Sequence, residues 1–315
     1  ISFEKAIIKP SNPESKNPKK SESACEKYDE ITTKRDSSIA AGTKGKIVFI
    51  IKEMKKPFEE VTNLAKIERN PVLKPYIYNA HLNTPKNTIG IALPYVNAVY
   101  KDQKSDPHYM AVLVPAPGDP GKKFLERLSE LNPKSEAFEK EKVKVQTAFN
   151  LFGVYFGKFQ AQTAAAAHLK NGVVIAHGDL HLDNFFIDVP TQRVTLIDAE
   201  TMALTMTNGD SEEKDLIRLF AHSTSRYFGK SSTAEKFEDV KVLSEVFFEP
   251  FLSGYDAGYT SVKGASNLDS LRTRFANANL VTLLRTQSTL YNSNWDKYKT
   301  EVVRVMDNLI AKRKK

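Results

Sequence analysis

The chain has 315 residues, of which 41% are hydrophobic, and a formal net charge of +8. This is a soluble globular composition with room for one large domain or two lobes around a shared cleft. The single cysteine, Cys25, excludes an internal disulfide framework, and apolar runs such as "IVFII" are far too short to span a membrane. The mild basic balance suits anionic partners such as nucleotides, and a lysine-rich solvated surface accounts for it equally well. No nucleic-acid partner is expected. The chain opens at Ile1 and not Met, which the sequence reading attributes to a cleaved signal, a removed pro-segment or an arbitrary boundary. A cytoplasmic location is expected, with a secreted effector as the alternative.

Residues 1–27, rich in Lys, Ser, Pro and Asn, read as a flexible arm. "SSIAAG" and "KIVFIIKEM" read as strands joined by a turn at "GTKG". "KPFEEVTNLAKIER" places Phe58, Val61, Leu64 and Ile67 at helical spacing. "YIYNAHL" and "TIGIALPYV" read as two further strands around the turn "NTPKN", which makes residues 28–96 a β-rich N-terminal lobe with one inserted helix. "DQKSDPHYMAVLVPAPGDPG" reads as a proline- and glycine-punctuated connection, and residues 97–315 as a larger helical lobe. The longest helical pattern, "FEKEKVKVQTAFNLFGVYFGKFQAQTAAAAHLK", carries Gly153 and Gly157 four apart, a spacing that suits close helix packing. The fold class expected from this order is α+β, two-lobed, with a cleft between a β-rich and a helical part.

The chemistry concentrates in "VVIAHGDLHLDNFFIDVPTQRVTLIDAE", residues 173–200. "FFID" and "RVTLID" flank "VPTQ" as a hairpin, which folds Asn184 back toward Asp198. An asparagine carbonyl beside a carboxylate makes a hard-oxygen site suited to Mg2+. Asp179 lies five residues before Asn184, beside such a metal without being consumed by it. That is the placement wanted for a base accepting a hydroxyl proton in phosphoryl transfer.

H-x-D-x-x-x-x-N followed by a hydrophobic strand ending in Asp is the catalytic core pattern of protein-kinase-like folds. "HGDLHLDN" with "LIDAE" resembles the aminoglycoside phosphotransferase and choline kinase family, in which histidine-glycine-aspartate replaces histidine-arginine-aspartate. The motif covers about 25 residues closely, and the lobe order follows the family loosely over the rest. The resemblance implies a Mg-ATP-dependent phosphotransferase that moves the γ-phosphate to an acceptor hydroxyl. It implies Asp179 as catalytic base and Asn184 and Asp198 as Mg2+ ligands, with Glu200 helping to hold a second Mg2+ or orienting the substrate. His177 is expected to brace the loop through backbone hydrogen bonds, and His181 to pack or to contact the moving phosphate weakly. Asp183 departs from the family's usual small residue; it reads as a solvated turn acid, with an extra metal or substrate contact as the alternative. Asp215 matches a helix-start aspartate that supports the catalytic loop.

For the nucleotide, Lys52 stands where the strand lysine of this fold is expected, with Glu60 as its partner and Glu59 and Glu68 as alternatives. The gap from Lys52 to Glu60 is shorter than usual for the fold. No G-x-G-x-x-G is present; "TKRDSS" takes the place of a phosphate loop, with Ser37 and Ser38 as donors, although an ordinary turn fits it as well. "IALPYVNA" resembles the adenine-binding strand and hinge, with Tyr95 or Val96 as contacts because Pro94 cannot donate. Tyr255, Tyr259, Tyr291 and Trp295 line up either as an aromatic acceptor pocket or as core. Three classes of function stay open: a small-molecule kinase, a kinase-like enzyme modifying a protein, and a pseudokinase that only binds. The terminal "AKRKK" reads as a solvated tail.

Overall fold

The structure is a computed structural model that describes residues 30–33, 39–44, 47–53, 57–78, 87–93, 96–100, 108–113, 116–164, 173–206, 209–228, 237–278 and 295–315. For the strands between residues 30 and 53 and between 96 and 113 it describes the backbone alone. The expected arm, residues 1–27, lies outside the described residues.

Five antiparallel strands form the first sheet: β1 (Glu30–Thr33), β2 (Ile39–Lys44), β3 (Ile47–Glu53), β6 (Val96–Tyr100) and β7 (His108–Leu113), in the order β1-β2-β3-β7-β6. The β-branched run "IVFIIKE" takes the central position, with β2 and β7 as its neighbours. Helix α1 (Pro57–Arg69) follows β3. It starts on a proline whose missing N–H is no loss there, with Glu59 and Glu60 in its first turn and Lys66 and Arg69 in its last. Asn63 and Ile67 are buried on α1 while Glu59 and Glu68 are exposed; Glu60 shares the buried face by its i, i+3 and i+7 spacing.

The first sheet continues past residue 96. β7 pairs with β3 from Ile50↔Leu113 to Glu53↔Met110, and β6 pairs with β7, so the first sheet runs on to Leu113. The proline and glycine signals after residue 113 mark the true exit from the sheet. Those before residue 108 mark only a connection between strands, and they hid the strand "HYMAVL" between them.

The second sheet runs β4-β5-β11-β10-β8, from β4 (Ile77–Tyr78), β5 (Ile89–Ala92), β8 (Asp119–Pro120), β10 (Phe185–Asp188) and β11 (Arg193–Leu196). "IGIA" therefore pairs in parallel with β11 of the β10–β11 hairpin, Gly90 opposite Thr195, and not with the first sheet. All four of its residues are buried, which the two-sided burial of a parallel pair requires.

Helix α2 (Gly121–Ser129) and the 28-residue α3 (Glu136–Thr163) follow. Ser135 caps α3, its Oγ accepting from the Phe138 N–H at 3.1 Å. After β9 (Val173–Val174), the hairpin β10–β11, the short α4 (Met202–Thr205) and β12 (Asp210–Ser211) come α5 (Glu212–Phe228), α6 (Phe237–Leu243), α7 (Glu249–Lys263), α8 (Leu268–Asn277) and a last helix, Trp295–Arg313. Between α6 and α7 lies a π-helical turn at Ser244–Phe248. Pro250 has no N–H for the Val246 carbonyl, and the ladder widens just before it.

Helices α3 and α7 cross with their backbones in contact. A Cβ on Gly153 would lie 2.1 Å from the Phe251 carbonyl oxygen, and one on Gly157 2.1 Å from that of Tyr255. Gly254 and Gly258 return the same fit from α7. The glycine spacing seen in the sequence is thus a packing feature. Phenylalanines fill the surrounding core, and Phe152 of α3 stacks on Phe185 of β10 at 4.0 Å between centroids. That contact anchors the strand that begins one residue after Asn184.

Candidate active site

The loop 175–184 enters from a buried strand end, "VIA", and is held by its own backbone groups. Asp215, in the first turn of α5, accepts from the His177 N–H at 2.7 Å and from the Gly178 N–H at 3.0 Å. Gly178 has φ +84°, a conformation in which a side chain is strained, and a Cβ there would also meet Thr201 at 3.1 Å. Asp215 is 1% exposed, and burial pushes its carboxyl above the usual range against the pull of the two amides it binds.

His177 is fully buried and bridges both halves of the site. Its Nε2 lies 2.9 Å from the Ile197 carbonyl, and its Nδ1 lies 3.3 Å from the Asp179 N–H. A carbonyl only accepts and an N–H only donates, so the hydrogen sits on Nε2. The expected bracing role of His177 agrees with these bonds. Two threonines unnoticed in the sequence complete the brace: Thr201 Oγ1 donates to the His177 carbonyl at 2.7 Å and Thr205 Oγ1 to that of Ala176 at 2.8 Å. Their i, i+4 spacing was visible, but nothing marked the carbonyls they would reach.

The hairpin brings Asn184 and Asp198 together as expected. The Ile197 N–H donates to the Asn184 carbonyl at 2.9 Å, one residue before Asp198. Asn184 Nδ2 donates to the Asp179 carbonyl at 2.9 Å, which leaves its Oδ1 as the free end for a cation. Asp198 has φ 53° and ψ 45°, a left-handed conformation that costs a non-glycine residue about 1 kcal/mol or more and concentrates at functional positions. Among the described residues, no three His, Cys, Asp or Glu side chains converge as a metal cluster. An asparagine–aspartate pair completed by phosphate oxygens and water is the donor set that fits Mg2+, a cation that keeps several non-protein ligands. Glu200 lies in the turn Ala199–Thr201 directly after Asp198.

The Asp179 side chain is 58% exposed, open to an incoming molecule while its backbone is fixed. His181 stands 3.8 Å from both Asp179 and Asp183. Asp183 is not a free turn acid: Lys122 of α2 lies 2.6 Å from it. The Lys122 N–H also donates to the Leu182 carbonyl at 3.1 Å, so the entry to α2 is tied to the loop by backbone and charge.

Lys52 pairs with Ile39 and with Ala111 at the middle of the first sheet. Helix α1, which bears Glu60, packs on the turn after Asp198 and on α4. Ser37, Ser38 and Tyr95 lie outside the described residues, as does the Lys52 side chain. Val96 opens the edge strand β6 opposite Val112, and therefore does not lie on the exit from the sheet. Tyr255 and Tyr259 belong to the core, at 0% and 9% exposure, and form no acceptor pocket. Tyr291 lies outside the described residues. The terminal basic run is docked: Arg313 pairs with Asp256, and Lys312 with Glu249 at 3.1 Å. Isolated basic residues in a sequence do not reveal acids brought to them by folding.

No known family profile matches the chain, and no curated protein matches it in sequence. In structure it is similar to amicoumacin kinase hAmiN in complex with AMP-PNP, Ca2+ and Ami, at 17% identity and TM-score 0.40 over 87% of this chain and 88% of that one. It is also similar to a glucosamine kinase in complex with glucosamine, ADP and inorganic phosphate, at 10% identity and TM-score 0.38 over 91% and 79%. A third likeness is choline kinase LicA from Streptococcus pneumoniae, at 16% identity and TM-score 0.30 over 90% and 94%. The chain's own order of elements is an antiparallel sheet with a helix after its third strand, followed by a second sheet holding the β10–β11 hairpin among helices. The fold is α+β, two five-stranded sheets with helices. Among the described residues no helix is long and apolar enough to cross a membrane.

Proposed function

We propose that the protein is a Mg-ATP-dependent phosphotransferase that moves the γ-phosphate of ATP to a hydroxyl of a small-molecule acceptor. The observation that carries this reading is the exposed Asp179 carboxylate on a loop whose backbone is bonded on all sides, with Asn184 and Asp198 gathered at the hairpin ends beside it. In the transfer, the bond from the γ-phosphorus to the β,γ-bridging oxygen breaks and ADP leaves. The acceptor oxygen bonds to phosphorus, and its proton goes to Asp179. Asn184 Oδ1 and the Asp198 carboxylate would hold Mg2+, with Glu200 as a further oxygen. The ion's contribution is to offset negative charge on the phosphates.

Lys52 and Glu60 are proposed for the nucleotide. Glu60 is supported by its place on the buried face of α1, and Ser37 and Ser38 remain the donors proposed for the phosphates. For the adenine, Tyr95 and Val96 remain proposed, and the exit after β7, the last strand of the first sheet before β8 joins the hairpin sheet, is proposed beside them. Amicoumacin, choline and glucosamine hydroxyls are the acceptors to offer first, given the named neighbours.

The test joins a thermal melt with γ-labelled ATP. Mg2+ and ATP together, and neither alone, should stabilise the wild type, by about 2.7 kcal/mol at a hundred times the dissociation constant. Asp179→Ala should keep that shift and lose transfer, whereas Asp198→Ala should lose both. Wild-type turnover in Asp179→Ala would overturn the mechanism.

A further inference from the structure

The side-chain network at the start of α5 lies outside the reacting groups but is built around a buried charge. Glu212, 2% exposed, accepts from Arg274 Nη2 at 2.5 Å, Asn267 Nδ2 at 2.9 Å and Tyr259 Oη at 3.1 Å. Arg274 Nε donates to Glu213 at 2.9 Å, so one guanidinium forks across two consecutive acids of α5. The Glu212 carbonyl accepts from the buried Gln160 at 3.4 Å, and Tyr255 donates to Gln160 at 2.7 Å. Helices α3, α7 and α8 thus all converge on the first residue of α5.

That turn of α5 also carries Asp215, whose two oxygens hold the His177 and Gly178 amides. Just ahead of it, β12 pairs with β9, the strand that feeds the loop, through Asp210↔Val174 and Ser211↔Val173. Three acids crowd the first turn, Glu212, Glu213 and Asp215. The helix N-terminus favours them, but their mutual repulsion opposes holding all three in place. A planar guanidinium with donors in a fixed fork can neutralise two of them and set their direction, which an ammonium cannot.

We infer that Arg274, through its fork on Glu212 and Glu213, is a positioning residue that sets the angle of α5 and thereby, through Asp215, the place of the Asp179 loop. This rests on the phosphotransferase reading for its kinetic arm only. Coupling of this kind acts on the step that needs alignment more than on nucleotide binding.

The experiment compares wild type, Arg274→Ala and Arg274→Lys by hydrogen exchange of the peptide spanning 175–182 and by steady-state transfer from γ-labelled ATP. Arg274→Ala should speed exchange at the His177 and Gly178 amides while peptides from α3 and β10 keep their protection. It should lower kcat by about tenfold or more, with KM for ATP changed by less than about twofold. Arg274→Lys, which keeps charge without the fork, should recover the stability of α5 but only part of kcat. Unchanged exchange at His177 and Gly178 would overturn the inference. So would a loss of protection spread evenly over α3, α5 and α8, or full recovery of kcat in Arg274→Lys. If Arg274→Ala does not fold, Arg274→Lys alone decides by the same two readouts. Absence of both turnover and a Mg-ATP melt shift in the wild type would sink the phosphotransferase reading, and the exchange arm would still judge the positioning role.

Discussion

At the scale of the residue, the site separates groups that react from groups that hold. Asp179 is exposed and its backbone is bonded through Asn184 and His177, so its carboxylate can be removed without collapsing the loop. Asp215 is the opposite case, since it is buried and takes two amides at once. Asp215→Asn offers one carbonyl oxygen to two donors and turns an NH2 group toward one of them. The unsatisfied amide should cost about 1–3 kcal/mol, measurable as a lower urea midpoint with an unchanged slope. Transfer should fall as well, whereas Asp179→Ala should leave stability close to wild type. Equal destabilisation by the two substitutions would mean that Asp215 does not carry the loop.

Among the elements, the α3–α7 crossing sets how close the helical core approaches the hairpin. Four glycines let the two backbones touch, and Phe152 on α3 then reaches Phe185. A methyl on Gly157 would meet the Tyr255 carbonyl at 2.1 Å and must push the helices apart. Gly157→Ala should therefore cost about 1–3 kcal/mol or more. Gly264 ends α7 at φ +72° with nothing within 4 Å, so Gly264→Ala meets only backbone strain, about 1 kcal/mol. Urea unfolding of the two variants side by side tests whether interhelix contact or turn geometry is the larger constraint; a smaller loss for Gly157→Ala than for Gly264→Ala would refute the close crossing.

Over the whole molecule, buried phenols record how the helical part is closed. Burial, with the Glu212 charge second, pushes Tyr259 up to about 12 from a usual value of 10.0. Burial also pushes Tyr76 to about 12, and Tyr255 is raised by the same cause. Between these limits the folded chain keeps protons that the unfolded chain releases. Stability is therefore fully present below pH 10 and is lost as pH rises through about 12. Tyr259→Phe removes one such proton, and its unfolding free energy should fall less steeply than that of the wild type from pH 10 to 12. An equal slope would place Tyr259 in contact with solvent.

The sequence by itself determined what is local. The spacing of Asp179, Asn184 and Asp198 around a hairpin turn shows which groups meet, because a two-strand turn leaves few alternatives. The glycine pair on α3 and the helical periodicities were legible for the same reason. Tertiary structure decided everything that depends on distant partners. "IGIA" has the same apolar pattern whether it joins the first sheet or the hairpin, and only parallel pairing with β11 settles it. The first sheet runs on to Leu113, because strand order is a property of pairing and not of punctuation. Lys122 on Asp183, Arg274 on Glu212 and Arg313 on Asp256 join residues 61, 62 and 57 apart, with no pattern in the chain to announce them. Charges carry no address in a sequence; the fold supplies it by bringing helices together.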